Sequence, residues 1–395
     1  MEISDKPVNR NILYSTLSAA AFMLIVYMFS PFIGPYLASH GFTREQISYI
    51  SSLAPLAIVI FSPIFGTISD YIGRKTIQRL SLLFYLIALI LYLLVDHNLI
   101  LLIFATILST LFAETYLDTT VARTQDNLIE HRGKYTGIIE SLKSAGALAG
   151  SLIATYILFN FPFSGVIKVV IILVGILLLL GFFVKSPPKV SVVRGSLNPL
   201  KEVWQFLKIK ELRDFTALNF ATSFHHPAIV IYLPLFITGE LHANLWLVGL
   251  YSSAMTFGYL LQFLGGFSCE RFGIGKTAVI SVLCNSLVFI ALAFVYSPVV
   301  VVICAFFLGL TSSFWSTSAT CYISEIGERL NNEGLVVGSV ASLGYLSVFI
   351  SFLISGVLIG PLGLRIIFVI YGLIGIMATT FVYFRIRKNR YYSAS

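Results

Sequence analysis

The chain has 395 residues, of which 57% are apolar and only 11% are charged, and its mean hydropathy is +0.90. Soluble domains carry about 25% charged residues, so this composition excludes an ordinary soluble protein. A buried core cannot account for such a deficit of charge over this length, whereas a lipid-facing surface can. The sequence therefore predicts an integral membrane protein.

Twelve apolar stretches are long enough to span a bilayer, which takes about 20 residues per helix. We number them spans 1 to 12, and they cover residues 11–38, 45–69, 77–95, 99–121, 135–159, 165–184, 214–238, 245–267, 277–296, 299–321, 334–358 and 364–384. The long polar segment 185–213 separates a predicted N-terminal six-helix bundle, 1–184, from a C-terminal six-helix bundle, 214–395. Its residues 200–207 are amphipathic and predict either a short helix on the membrane surface or part of a disordered basic linker.

Lys and Arg residues fall mainly on one side of this arrangement. With the N-terminus inside, 22 of the 26 basic residues lie on the inner side, including those of the central segment. The positive-inside rule then predicts that both termini are cytoplasmic, in a multi-pass protein of the inner (plasma) membrane. This topology also explains the net charge of +8, from which we infer no nucleic-acid partner. The first stretch is too long for a cleavable signal peptide.

A short charged loop occurs at matching places in the two halves. After span 2 the chain reads GTISDYIGRK, residues 66–75, and after span 8 it reads GFSCERFG, residues 266–273. Gly133 and Gly137, which open span 5, are matched in the same way by Gly334 and Gly338 at span 11. A membrane protein duplicated in this way is most simply a secondary transporter.

The GxxxDxxGRK loop, the twelve spans and the central segment together resemble the major facilitator superfamily over nearly the whole chain. The resemblance implies an all-α fold of two pseudo-symmetric six-helix bundles. Within the superfamily we favour the twelve-helix drug/proton antiporter branch, although span 1 lacks the acid that several of its members carry. Span 5 has Ala147 and Ser151 where the exporter pattern often has proline and glycine. Gly146 and Gly150 of that pattern remain, and they predict a closely packed helix face.

The resemblance also implies a conformational latch on the cytoplasmic side. Asp70 is expected to face the positive N-terminal end of span 11, and Arg74 to pair with Asp126 below span 4, in the outward-open state. Lys75 is expected to act only as an inside-anchoring charge. The residues assigned to the latch are Gly66, Asp70, Gly73, Arg74, Lys75, Asp126, Arg132, Gly266, Glu270 and Gly273.

Acidic residues inside the spans are the main candidates for chemistry. Glu114 and Asp118 are four residues apart in span 4 and share one face, while Glu140 and Lys143 lie one turn apart in span 5. A carboxylate within a membrane costs about 2.5–3.5 kcal/mol even on a lenient scale, so we expect water or a partner beside it. We predict a Glu114–Lys143 pair, which is either a static structural contact or a site for a proton or a substrate carboxylate.

Spans 7 and 10 supply further polar candidates. Asn219 and His226 share a face of span 7, and His225 lies about 100° away from that face. Histidine titrates near neutral pH, so His226 is either a proton carrier or an ordinary hydrogen-bonded side chain. In span 10, Trp315 lies among several hydroxyl side chains, which indicate either a cavity wall or ordinary helix packing.

These features favour a secondary transporter that works by alternating access, with proton-coupled export of a small organic or amphiphilic compound. Uptake or facilitated diffusion of a polar or anionic metabolite is one alternative, and a lipid flippase on the same scaffold is another. We find no nucleophile–base pattern, metal-ligand spacing or phosphate-binding loop, so we expect no enzyme, no metal and no cofactor. The four cysteines form no CxxC pair and are expected to be reduced. The expected partners are the substrate, protons and the bilayer, and we expect a monomer.

Overall fold

The structure, a computed structural model, describes residues 10–95, 98–125, 132–183, 210–330 and 333–388. These residues contain no strand, because in a bilayer a helix satisfies its backbone hydrogen bonds internally. Several side chains lie outside this description, among them those of Asp70 and Arg132. Asp126, the amphipathic residues 200–207 and the rest of segment 184–209 lie outside it as well.

The N-terminal half contains spans 1 to 6. Span 1 consists of helix Arg10–Phe29, a 3₁₀ turn at Ser30–Phe32 and helix Ile33–Ser39, and the turn coincides with Pro31. The following spans are the helices Arg44–Ile72, Arg74–Leu94, Leu99–Gln125, Arg132–Asn160 and Phe163–Phe183. Their ends lie within a few residues of the predicted boundaries.

The C-terminal half contains spans 7 to 12. Span 7 consists of helix Lys210–Phe224, a π turn Ala228–Tyr232, a short helix Leu233–Leu235 and a second π turn Phe236–Glu240. Span 8 consists of Leu245–Leu260 and Phe263–Phe272, which meet at 44°. Spans 9 and 10 are Ile274–Leu292 and Pro298–Leu330, and the remaining helical residues are Glu333–Lys388.

The last helical stretch is two spans rather than one. It contains Pro361 and a non-helical residue, Gly363, with a φ of 75°. The hydroxyl groups of Ser351 and Tyr371 are 2.9 Å apart, whereas 20 residues of straight helix would separate them by about 30 Å. The chain therefore turns back at Gly363, and the predicted all-α, twelve-span architecture is confirmed.

With an even number of spans, Arg10 and Lys388 lie on the same face of the bundle. We call this the terminal face and the opposite one the far face. In the predicted orientation the terminal face is cytoplasmic.

The two halves use the same helix contacts with different residues. A methyl group on Gly146 or Gly150 of span 5 would overlap the backbone carbonyl of Ala20 or Leu24 in span 1, which confirms the predicted close packing. At the corresponding place in the second half, Ser347 and Ser351 of span 11 donate hydrogen bonds of 2.7 Å to backbone carbonyls of span 7, namely those of Phe220 and Phe224. The carbonyls of Phe220 and Phe224 lie 200 residues further along the chain than those of Ala20 and Leu24, which is the offset between the two repeated loops.

We expect Gly150→Ala to lower thermal stability, because the new methyl group meets backbone atoms that cannot move aside. Overpacking of this kind costs about 1–3 kcal/mol, which exceeds the gain of at most about 1 kcal/mol in helix propensity. The measurement is a thermal unfolding midpoint in lipid nanodiscs. Gly175→Ala is the matched control, since no described atom lies within 4 Å of a Cβ at that position. Equal midpoints for the two variants would contradict the packing role.

Candidate functional site

The two halves are joined by polar contacts in the part of the bundle nearer the far face. The Ser48 hydroxyl lies 2.5 Å from the Tyr232 hydroxyl and donates to the carbonyl of Phe352 at 2.6 Å, so it ties span 2 to spans 7 and 11. The hydroxyls of Ser151 and Ser252, in spans 5 and 8, are 2.9 Å apart. Each of these bonds crosses from one half to the other.

Small residues allow the helices of the two halves to approach closely on this side. A side chain at Gly249 in span 8 would overlap Thr155 of span 5, and one at Gly356 in span 11 would come within 2.8 Å of the Tyr49 ring of span 2. There is consequently no room between these helix pairs for water or a substrate. The far face is closed.

The signature loops lie at the terminal face. Among the described residues no atom lies within 4 Å of a Cβ placed on Gly66 or on its counterpart Gly266. Gly73 and Gly273 end their helices with similar left-handed geometry, φ 102° and 87°, so the two loops share one backbone form. A side chain at Gly66 or Gly266 would therefore meet no described residue of the opposite half.

The charged latch residues are only partly described. The guanidinium of Arg74 donates to the Ser69 hydroxyl at 2.5 Å. Its predicted partner Asp126 lies outside the described residues, as do the side chains of Asp70 and Arg132. Glu270, in the second copy of the loop, is exposed. The predicted contact between Asp70 and span 11 stays a prediction.

Midway through the bundle, the two acids of span 4 face the gap between the halves. Asp118 is exposed and accepts a hydrogen bond from Ser62 of span 2 at 3.4 Å. Glu114 is partly exposed and lies next to the hydroxyl of Tyr345 in span 11, which belongs to the other half. Both acids thus lie on the predicted shared face, with Tyr345 opposite them.

Lys143 pairs with a different acid from the predicted one. Its ammonium group contacts both carboxylate oxygens of Glu140, at 2.9 and 3.0 Å. Within the described residues no ion pair forms between Lys143 and Glu114, although Lys143 is within electrostatic range of Glu114 and Asp118. The predicted Glu114–Lys143 pair is therefore wrong. Residues three apart on one helix meet directly, so Glu140 reaches Lys143 without spanning the distance between two helices.

Tyrosine side chains complete the surroundings of these acids. Tyr27 of span 1 lies within electrostatic range of Glu114 and of Tyr259 in span 8, and Tyr259 lies close to Ser316. Sequence analysis missed Tyr27, Tyr259 and Tyr345. The hydroxyl group of a buried tyrosine usually has a polar partner, which could have pointed to these residues. The chain has 20 tyrosines, however, so this rule did not single out any of them.

The two histidines of span 7 have opposite environments. His225 is buried at the point where the α-helix gives way to the π turn, between the Asn285 side chain at 3.2 Å and the carbonyl of Tyr371 at 2.9 Å. His226 is exposed and has no hydrogen bond to another described residue. Asn219 donates to the carbonyl of Val340 and so ties span 7 to span 11. Of the two histidines, His226 is thus the exposed one, and His225 is held by packing and hydrogen bonds.

Trp315 packs inside the C-terminal half. Its ring is stacked on Phe215 of span 7, with centroids 5.5 Å apart and planes at 17°. It also packs against the buried cluster that contains Val336 and Val340 of span 11. These contacts favour the ordinary packing alternative for this residue.

Comparison with known proteins supports the same architecture. The family model described as Major Facilitator Superfamily matches residues 15–298 and, in a second match, residues 228–393. No curated protein sequence matches the chain. The solved structure of the nucleoside transporter NupG is similar with a TM-score of 0.77 and 14% identity, covering 95% of this chain and 98% of that one.

A second similar structure is the human organic anion transporter MFSD10 (TETRAN), with a TM-score of 0.69 and 15% identity. The match covers 95% of this chain and all of that one. At such low identity the likeness shows the fold alone, and the drug/proton antiporter branch stays a prediction. The family match spans both halves, and the chain therefore belongs to the Major Facilitator Superfamily of membrane transporters and is not an enzyme.

Proposed function

We propose that this transporter couples proton movement to the export of a small organic or amphiphilic compound by alternating access. The observation that carries the proposal is the pair of acids, Glu114 and Asp118, in a gap that is closed at the far face, while at the terminal face no described atom lies beside Gly66 or Gly266. A carboxylate within a membrane is stable when it can reach water, a proton or a cation. In the orientation that we infer from the basic residues, the terminal face lies in the cytoplasm, and the gap opens on that side of the plasma membrane.

Glu114 is the leading proton carrier in this proposal. It lies in the N-terminal half, while the Tyr345 hydroxyl beside it belongs to the C-terminal half. Gaining or losing a proton at Glu114 changes the hydrogen bond that Tyr345 can make, so the proton has a direct effect on a contact between the halves. The exposed His226 is the second candidate carrier.

The charge balance of the gap supports a neutral or cationic substrate. Lys143 is neutralised by Glu140, so Glu114 and Asp118 leave an excess of negative charge when ionised. An anion would be repelled by this excess. The tyrosines around the acids offer aromatic faces that suit an amphiphilic compound.

Uptake or facilitated diffusion of a polar metabolite is the second candidate. The observation in its favour is the similar fold of a nucleoside transporter and of an organic anion transporter. Lys143 would be the anion-binding group in this case. A lipid flippase on the same scaffold is the third candidate.

We propose that the signature loop acts as a latch that holds the terminal face closed. Asp70 would face the N-terminal end of span 11, and Arg74 would bind Asp126. The absence of described atoms beside Gly66 and Gly266 is what we expect when such a latch is released. We also propose that the transporter is a monomer.

We expect Glu114→Gln to abolish the pH dependence of transport while leaving expression and membrane insertion intact, because the amide cannot carry the proton. The measurement is transport by reconstituted vesicles over a range of pH. Glu325→Gln is the control, since Glu325 is an exposed acid paired with Arg329 on its own helix. Wild-type proton dependence in Glu114→Gln would reject this residue as the carrier.

Direction is tested by accumulation in cells. We expect cells that express the transporter to accumulate less of a substrate found in a compound panel, and an uncoupler to remove the difference. An importer would instead raise accumulation, and a facilitator would speed equilibration without a response to the uncoupler. A flippase would change the leaflet distribution of a labelled lipid in vesicles.

We expect Asp70→Asn to shift the conformational equilibrium toward the state that is open at the terminal face. Losing a charge at a helix end removes about 0.3–2 kcal/mol, which corresponds to roughly a two- to thirty-fold change. Distances between spin labels at the terminal-face ends of the two halves report the shift, and Glu270→Gln is the matched variant with a smaller expected effect. An unchanged distance distribution at every pH would leave the loop as a topological anchor only.

A further inference from the structure

Three charged side chains meet at the far face where spans 2, 7 and 12 converge. Arg44 Nη1 lies 3.0 Å from Glu240 Oε1, and Arg365 Nε lies 3.5 Å from Glu240 Oε2. Arg44 belongs to the N-terminal half, whereas Glu240 and Arg365 belong to the C-terminal half. The side chain of Glu240 is 21% exposed and that of Arg44 is 35% exposed, so their bond is partly shielded from water. The cluster thus joins the halves at the face that is closed.

Arg365 is fixed within its own half. Its Nη1 donates to the carbonyls of Ala293 and Val295, at 2.7 and 2.8 Å, where span 9 ends. Its guanidinium also lies over the rings of Phe236 and Tyr296, 4.9 and 4.3 Å from their centroids. A cation is favoured at the C-terminal end of a helix, and none of these contacts involves the other half. Arg365 therefore keeps its place beside Glu240 whether or not the halves separate.

Arg44 is held in the opposite way. It begins the helix of span 2, after the capping residue Thr43, and the described residues offer its guanidinium no hydrogen bond besides that to Glu240. Its Nη2 lies close to Gly239, 3.3 Å from the position of an added Cβ. Arg44 is therefore bound to the C-terminal half at one place only.

We propose that this cluster is the far-face gate of the transporter, with Arg44 as the part that leaves and Arg365 as the part that stays. The proposal rests on the alternating access of the proposed function, but not on its proton coupling. Removing the sole partner of a shielded charge is costly, because the remaining charge is left uncompensated. Glu240 retains Arg365 when Arg44 leaves, so opening breaks a single partly exposed ion pair.

The backbone around Glu240 fits a moving element. Glu240 ends the second π turn of span 7, Phe236–Glu240, which follows Pro234. Proline removes a backbone hydrogen bond, and π turns occur often at functional sites. The outer part of span 7 is thus less regular than its neighbours, and it carries the acid of the gate.

The test measures the opening of the far face directly. Spin labels at Leu99→Cys and Val299→Cys, which are exposed at the far-face ends of spans 4 and 10, are placed in the full chain with its four native cysteines replaced by serine. We expect Arg44→Gln to raise the ratio of long to short distances about two- to five-fold, the range for a partly exposed ion pair. Arg44→Lys keeps the charge and should recover most of the closed state.

Lys168→Gln is the control, because Lys168 is an exposed basic residue in the same half, near the far-face end of span 6. It should leave the distances unchanged. Raising the salt from about 50 mM to about 1 M should open the wild type toward the Arg44→Gln ratio and should leave Arg44→Gln itself nearly unchanged, because salt screens a partly exposed pair.

Equal distances in Arg44→Gln and Lys168→Gln would overturn the gate, and so would a wild-type distribution that does not respond to salt. Terminal-face labels in the wild type test alternation separately, because they must move apart when the far-face labels come together, and Glu114→Gln tests proton coupling separately. A failure of the gate is therefore distinguishable from a failure of the proposed function.

Discussion

A charge inside a bilayer needs a partner or water, and this constraint governs where the few charged side chains of the spans lie. Lys143 is neutralised by Glu140 on the same helix. Arg79 donates to the carbonyls of Gly181 and Phe182, where span 6 ends. Asp118 is left to face the gap between the halves. Of these three arrangements only the last depends on how the halves are oriented, so the acids of span 4 are among the charges that alternating access can expose or enclose.

The two faces are held by different kinds of interaction. At the far face, helices approach through small residues such as Gly249, and hydroxyl groups such as Ser48 bond across the halves. The Arg44–Glu240 pair adds a charged contact at the rim. At the terminal face no atom of the described residues lies within 4 Å of a Cβ placed on Gly66 or Gly266. A transporter needs the two closed arrangements to have similar free energies, and several weak contacts at each face meet that need better than one strong contact.

The scaffold is duplicated while the chemistry is not. The carbonyl of Leu24 packs against Gly150 in the first half, and the equivalent carbonyl of Phe224 accepts a hydrogen bond from Ser351 in the second. Glu114, by contrast, has Trp315 at the position 201 residues further along the chain, where it packs on Phe215. The acids of the proposed proton site belong to the first half, and the irregular span 7 belongs to the second. The asymmetry gives the two halves separate tasks on one fold.

The sequence by itself determined the membrane class, the twelve spans, their duplication and the shared face of Glu114 and Asp118. These properties depend on composition and on helical periodicity, which are local, and a helix in lipid has little freedom to form anything else. The packing of Gly146 and Gly150 was predictable for the same reason. The open and closed faces were not, because they depend on contacts between residues that are far apart in the chain.

Only the tertiary structure decided the partners of the charged groups. The sequence analysis paired Lys143 with Glu114. In the structure Lys143 pairs with Glu140, and Tyr345 lies beside Glu114. Sequence analysis did not single out Arg44, Glu240 or Arg365, and 196 residues separate the first two. Their meeting follows from the docking of one half on the other. That docking is set by the shapes and small residues of whole helix faces, which no local pattern of residues encodes.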